Sequence, residues 1–216
     1  MVFVESIGEI MKINIKTFND WAIADKDLDM QRGHEAPVDF MFNLVSEKTN
    51  VFKNDFSFLD VGCGNGWVVR KISKLQKCIL AEGVDGAPEM INKAKRYDSK
   101  NNYYTEDIED WIPNKKYDII FSMEVFYYFK DPQKIINNLV QSLNSGGVLV
   151  IGIDHYAENI PSLNWDKEYN ISTNTLYIND WKQLFLDANL NNIAKVQYGE
   201  SNDWQGTLIL LGNKKT

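Results

Sequence analysis

Cysteine and histidine are scarce in this 216-residue chain, with two of each. Two thiols cannot build a disulfide framework, and these two are badly placed for a single bridge. Cys63 leaves the first apolar strand and Cys78 enters the next, so parallel neighbours would carry them at opposite ends of a sheet. Both read as small buried residues. With only His34 and His155 present, no metal site is assigned and few general bases are on offer. Basic charge is short as well: Lys and Arg total 23 against 30 Asp and Glu, a net charge of -7. A chain that grips nucleic acid needs a basic face, so no nucleic-acid partner is expected. The densest basic cluster, Lys93-Ala94-Lys95-Arg96, falls on an expected helix face and reads as solvated. No run approaches the ~20 apolar residues of a membrane span. Met1-Val2-Phe3-Val4-Glu5 lacks the basic start and long apolar centre of a signal peptide. The expectation is a cytoplasmic protein without a membrane partner. Repeats and low-complexity tracts are missing too.

What remains is ordinary globular composition, 44% hydrophobic and 25% charged, at a length that suits one α/β domain with additions. The chain turns on Phe58-Leu59-Asp60-Val61-Gly62-Cys63-Gly64-Asn65-Gly66-Trp67, an apolar run that stops near an aspartate and breaks into three alternating glycines. It reads as a buried strand, a tight turn and a helix start. Glycine there tolerates positive φ and lets a ligand approach the backbone, while the helix beginning near Trp67 presents free N–H groups. Further strands are expected over 79–84, 102–105, 117–123, 148–153, 193–198 and 205–211. Helices are expected over 67–76, from Pro88, from Pro132 to Leu143, and over 179–189. Near-continuous apolar strands alternating with helices imply a doubly wound, mostly parallel seven-stranded sheet, closed by an antiparallel C-terminal hairpin. Residues 1–50 are expected to form an N-terminal helical lid on a domain spanning 51–216. In that lid Met30 to Glu35 reads as a loop, and Pro37 as the first turn of a helix. The ligand crevice lies beyond the strand C-termini, where Asp60, Asp85, Asp107 and the Met123-Glu124 pair all fall.

The glycines alternate as Gly62, Gly64 and Gly66, and Trp67 stands where a dinucleotide fingerprint needs its third glycine, obstructing the approach of a pyrophosphate. No Gly-Lys-Ser/Thr follows, so this is no P-loop. Asp85 ends the second strand, where a carboxylate can take both hydroxyls of a ribose. On these residues the chain resembles the class I S-adenosylmethionine-dependent methyltransferases, of small-molecule type, from about residue 56 to 212. Leu59 to Gly66 is similar to that family's first motif, Gly83-Val84-Asp85 to the acidic end of its second strand, and Thr105-Glu106-Asp107-Ile108 to its adenine-contacting segment. Tyr117 to Pro132 is similar to its fourth strand and loop, and Leu143 to Leu149 to the turn into the fifth.

The resemblance implies a Rossmann-like methyltransferase fold, S-adenosyl-L-methionine as cofactor and S-adenosyl-L-homocysteine as product. It also implies cofactor contacts from Asp60, Gly62, Gly64, Asp85, Asp107, Ile108 and Met123. Asp60 would orient the turn or meet the methionine amine, Asp85 would hold the ribose, and Asp107 with the Ile108 N–H would read adenine. A turn cap is the alternative for Asp107. Arg32, in Gln31-Arg32-Gly33-His34, would reach the cofactor carboxylate or stay on the surface, and His34 reads as a surface residue. Methyl transfer from a sulfonium is an in-line displacement that depends on holding the nucleophile close and aligned. His155, after the fifth strand, is the candidate base on the acceptor rim, or else an exposed loop residue. The family's polar residue after strand four is replaced here by Tyr127 and Tyr128, which are taken with His155 as the catalytic candidates. Trp21, Tyr156, Trp165, Tyr169 and Trp204 could extend an aromatic wall, which favours an amine because aromatic faces hold cations, and a small-molecule acceptor is expected because the sequence offers no extra domain or basic groove for a macromolecule. A noncatalytic S-adenosylmethionine-binding partner subunit is the second reading and a nicotinamide-dependent oxidoreductase the third. Oligomeric state is not legible.

Overall fold

The computed structural model describes residues 2–215, with side chains from residue 13 onward; the side chains of the Met1–Glu5 start lie outside the described residues. Two long helices come first, α1 (Val2–Ile23) and α2 (Asp27–Lys48). Then follow β1 (Phe56–Val61), α3 (Trp67–Ile72), β2 (Cys78–Asp85), α4 (Pro88–Tyr97), β3 (Asn102–Thr105), β4 (Tyr117–Met123), α5 (Pro132–Gln141) and β5 (Leu143–Ile153). The chain ends with α6 (Trp165–Tyr169), α7 (Ile178–Asp187), β6 (Asn191–Tyr198) and β7 (Thr207–Asn213). The seven strands lie in the order β3-β2-β1-β4-β5-β7-β6, with β7 antiparallel to both its neighbours and the other described pairings parallel. The expected sheet and terminal hairpin are thus present.

Side chains alternate across the strands, because successive Cβ atoms point to opposite faces. Phe58, Ile119, Phe121, Val148 and Val150 face α2, α3 and α4. Leu59, Ile120, Leu149 and Ile151 face α5 and α7. Both faces are covered, which is why the strands read as unbroken apolar runs. Cys63 and Cys78 are both free thiols.

Two expectations need correction. Met30 to Glu35 is not a loop: α2 runs through it without a break, and Pro37 lies inside the helix. Proline removes an N–H there and crowds the carbonyl four residues back, on Gly33. Pro37, Val38, Met41, Leu44 and Val45 are nevertheless all buried, and the packing of that face carries the helix past its weak point. The fifth strand starts earlier than 148, at Leu143, and absorbs the Gly146-Gly147 pair as an irregularity between the Tyr117–Leu143 and Ile119–Val148 pairings. Gly146 has φ 74° there.

Helix α1 lies over α4. Asn19 Oδ1 accepts the Glu89 backbone N–H at 3.0 Å, capping α4 from outside. Asn14 bonds both ways with the backbone of Ser172, and Thr17 donates to the Asn170 carbonyl, so α1 also clasps the segment after α6.

Candidate functional site

Beta strands β1 and β4 are neighbours in the sheet but leave it in opposite directions, and the crevice between their connections opens over the strand C-termini. A cavity with about 970 Å³ of empty space, counting its mouth, occupies that crevice. Its floor is the turn after β1. Gly62, Gly64 and Gly66 have φ of 77°, 52° and 76°. At Gly62 the need is packing as well as backbone freedom, since a Cβ there would lie 2.1 Å from Val125 Cγ2. One wall holds Asp60, Asp85, Met90 and Ile108; the opposite wall holds Met123, Glu124, Val125 and Tyr128; Asn14, Ile15 and Phe18 of α1 close the roof.

Helix α2 supplies the last wall through its register. Asp27, Met30, Gln31 and His34 line the cavity at spacings of three and four residues, one stripe of a helix. Arg32 falls on the other side, exposed, and its guanidinium pairs with Asp29 one turn back. The loop reading of 30–35 conceals this register: of the two places expected for Arg32, the cofactor carboxylate and the surface, the helix gives it the surface, and His34, expected on the surface, lines the cavity. Burial lowers the His34 pKa to about 4.

The glycine turn is braced by carboxylates. Asp85 Oδ2 accepts the Gly64 N–H at 2.9 Å and Oδ1 accepts the Ala87 N–H at 2.8 Å. Burial raises the Asp85 pKa and those two bonds pull against it. Asp60, beneath it, is pushed well above its ordinary value by burial and then by the Asp85 charge. Asn65 in the turn bonds Asp27, and Asp27 with Asp25 holds the buried Lys93 ammonium, each at 2.6 Å. This latch ties the start of α2 to the turn and to α4.

At the other end, Glu124 has φ 62°, a left-handed conformation that non-glycine residues rarely adopt. Its Oε1 accepts the Asp154 backbone N–H, and its Oε2 accepts the Tyr127 hydroxyl at 2.8 Å. The Tyr127 and Tyr128 oxygens are 2.9 Å apart. With the single Tyr127 proton directed to Glu124, Tyr128 donates to Tyr127, and Tyr128 itself lines the cavity. Burial and the neighbouring Asp154 hold the Glu124 pKa well above its ordinary value, and burial lifts Asp154 to about 6.

Of the residues singled out from the sequence, Asp60, Gly62, Gly64, Asp85, Ile108, Met123 and Tyr128 line the cavity. Tyr127 stands one layer behind Tyr128. Asp107 does not line it: its Oδ1 accepts the Glu109 N–H at 3.1 Å, a turn cap. His155 is fully buried rather than on a rim. Its Nδ1 donates to the Ser162 carbonyl at 3.0 Å, and its Nε2 therefore accepts from the Thr175 hydroxyl at 2.7 Å, which leaves no nitrogen for a substrate. Nor do Trp21, Tyr156, Trp165, Tyr169 or Trp204 line the cavity. Trp165 packs near Tyr169 and Trp204, each at 6.2 Å between ring centres, and Tyr169 meets Trp21 at 5.6 Å.

Over residues 30–195 the chain matches the family described as a methyltransferase domain. It is 31% identical over 156 residues to malonyl-[acyl-carrier protein] O-methyltransferase 2 of Ilyobacter polytropus, covering 66% of this chain and 60% of the relative. It is 32% identical over 114 residues to a ubiquinone biosynthesis O-methyltransferase of Rickettsia canadensis, covering 50% and 48%. The chain spans between 35% and 60% of the length of the first curated relatives it matches. In fold it resembles a chain from the Haloferax volcanii complex of the Trm112 methyltransferase activator with a methyltransferase, at TM-score 0.78 and 23% identity, covering 92% of this chain and 98% of that one.

Proposed function

The chain belongs to the class I S-adenosylmethionine-dependent methyltransferase family, and from that premise we propose that it methylates a hydroxyl oxygen of a small molecule. The residues present fit the cofactor. Asp60, Asp85 and Glu124 line the cavity without an ion pair to Lys or Arg among the described residues, which suits a guest carrying a sulfonium and an ammonium. Bound there, S-adenosylmethionine supplies an electrophilic methyl group. In this reading Asp85 takes the ribose hydroxyls, Ile108 and Met90 border the adenine, Gly62 and Gly64 allow close approach, and Asp60 faces the ammonium.

The observation that carries the acceptor assignment is the chain Tyr128–Tyr127–Glu124. It presents an oxygen lone pair at the cavity wall, suited to receive an acceptor O–H and to hold that oxygen in line. Without a cation between them, ionised carboxyls at Glu124 and Asp154 would oppose a carboxylate acceptor. The preference for an amine rested on an aromatic wall, and those rings stand outside the cavity; the two curated relatives compared above are both named for O-methylation, the malonyl one of a group whose free oxygen belongs to a carboxyl. Among the described residues no Lys or Arg lines the cavity.

Incubation with S-adenosylmethionine and a panel of phenols, alcohols, amines and carboxylic acids, read as S-adenosylhomocysteine release and a methyl mass increment, tests this. Hydroxyl compounds should turn over, and Tyr128→Phe should reduce kcat/KM about tenfold, as the loss of one hydrogen bond predicts. Methylation confined to amines, acids, peptides or RNA would overturn the assignment.

A further inference from the structure

We propose that His34, Glu124 and Asp154 form a divalent-cation site at the acceptor end of the cavity. The three come from α2, the turn after β4 and the turn after β5, yet one ligand atom from each lies within 4.8 Å of the other two. Two ligands bound to one ion at 2.0–2.3 Å stand about 3–4.5 Å apart, so a shift of a few tenths of an ångström would close the set. His34 and Glu124 open on the cavity.

A second observation points to a missing ligand. Asp154 is 8% exposed and its Oδ1 has no hydrogen-bond partner. A buried carboxylate oxygen left alone is rare, because desolvation is costly unless something positive or a donor replaces the water. Neither Asp154 nor Glu124 is ion-paired with Lys or Arg among the described residues. The Glu124 carboxylate is meanwhile held in place from two sides, by the Asp154 N–H and the Tyr127 hydroxyl, and its backbone is kept left-handed. Strain of that kind persists where the surrounding structure over-determines it, commonly at ligand sites.

One imidazole with two carboxylates suits Mn²⁺, Co²⁺ or Zn²⁺ better than a soft ion. Three protein ligands leave coordination positions open toward the cavity, where an acceptor oxygen would fit. The use of the site rests on the hydroxyl-acceptor reading above; its existence does not.

Mn²⁺ titrated into chelator-treated protein, followed by loss of the free-ion EPR signal, tests the assignment without any acceptor. One saturable site is expected, weakened at least tenfold in Asp154→Asn and in His34→Gln, while an unchanged cooperative urea transition reports that each variant is folded. Should one variant fail to fold, the other carries the comparison. No saturable Mn²⁺ binding to the unaltered protein, or equal binding by a folded variant, overturns the site and leaves the acceptor reading standing. Saturable binding weakened in the variants, together with methylation of amines only, supports the site and overturns the acceptor reading instead.

Discussion

Replacing Asp85 by asparagine separates a structural role from a ligand role, and the hydrogen bonds set the size of each. The carboxylate takes the N–H groups of Gly64 and Ala87 on its two oxygens. An asparagine keeps one oxygen and turns an NH₂ toward the other N–H, losing one charge-assisted bond of about 1.5–3 kcal/mol. Part of that loss is offset. Burial raises the Asp85 pKa, so the ionised form is disfavoured in the folded protein, and a neutral amide relieves that penalty. A net loss of about 1 kcal/mol in urea denaturation is expected. Binding should suffer more. A ribose diol donating two O–H groups to the carboxylate loses one of them, about 1.5–3 kcal/mol, which is roughly 10- to 150-fold in affinity. Calorimetric titration with S-adenosylhomocysteine measures this, and Asp107→Asn serves as the contrast, since Asp107 caps a turn outside the cavity and should change affinity less than about twofold. If Asp85→Asn lowers stability but leaves affinity within twofold of the parent, Asp85 only braces the glycine turn and the ribose assignment is wrong.

Gly62→Ala combines a left-handed φ of 77° with a Cβ placed 2.1 Å from Val125, so it should destabilise by about 3 kcal/mol or more. Adding Val125→Ala should recover the clash but not the ~1–2 kcal/mol of backbone strain, and a double variant as unstable as the single would refute the account. Lys93→Met leaves Asp27, whose side chain is 3% exposed, without its ammonium, for a loss of about 3 kcal/mol, and weaker S-adenosylhomocysteine binding should accompany it through Asn65. A change under about 1 kcal/mol would mean the latch is incidental. Glu82 is completely buried; burial alone would raise its pKa, but Lys115, Tyr117, Tyr104 and Asn102 all donate to it and hold it below its usual value. A lowered carboxylate pKa stabilises above the unfolded value of about 4.3 and is lost as pH falls through the folded one. From pH 7 to pH 3, Glu82→Gln should therefore lose less of its urea midpoint than the parent, and parallel curves would contradict this.

What could be read from the sequence follows from what leaves a local trace. Strands buried on both faces print as apolar runs, so β4 was located to the residue, and Asp60 and Asp85 were singled out because the crevice forms at the ends of just such strands. Helix α2 left a misleading trace, since Gly33 and Pro37 both argue against a helix that only tertiary burial of Val38, Met41 and Val45 sustains. That one error hid the α2 wall of the site, because Gln31 and His34 reach the cavity only in helical register. Recognising Asp27, Met30, Gln31 and His34 as one stripe would have found them. His155 failed for a different reason. A histidine after a strand looks alike in sequence whether it faces a cavity or donates to the Ser162 carbonyl, and α6 with its flanking turn, which buries it, is too short to announce itself by periodicity.

The charge of the cavity bears on which guest the proposed reading gives it. Asp60, Asp85 and Glu124 face it, Asp154 stands behind, and none is ion-paired to a cationic side chain among the described residues. A dinucleotide would bring two phosphate charges into that field with Trp67 at the mouth of α3 and without a third glycine to admit them, so repulsion and shape reject it together. In the proposed binding mode a sulfonium with an ammonium would offset the carboxyls near the glycine turn and would leave the Glu124–Asp154 end without a cation. Any occupant that completes the site there must carry protons or positive charge. A hydroxyl acceptor would bring a proton to that end and a divalent ion would bring positive charge, and only with the ion absent would an anionic acceptor meet unbalanced carboxyls.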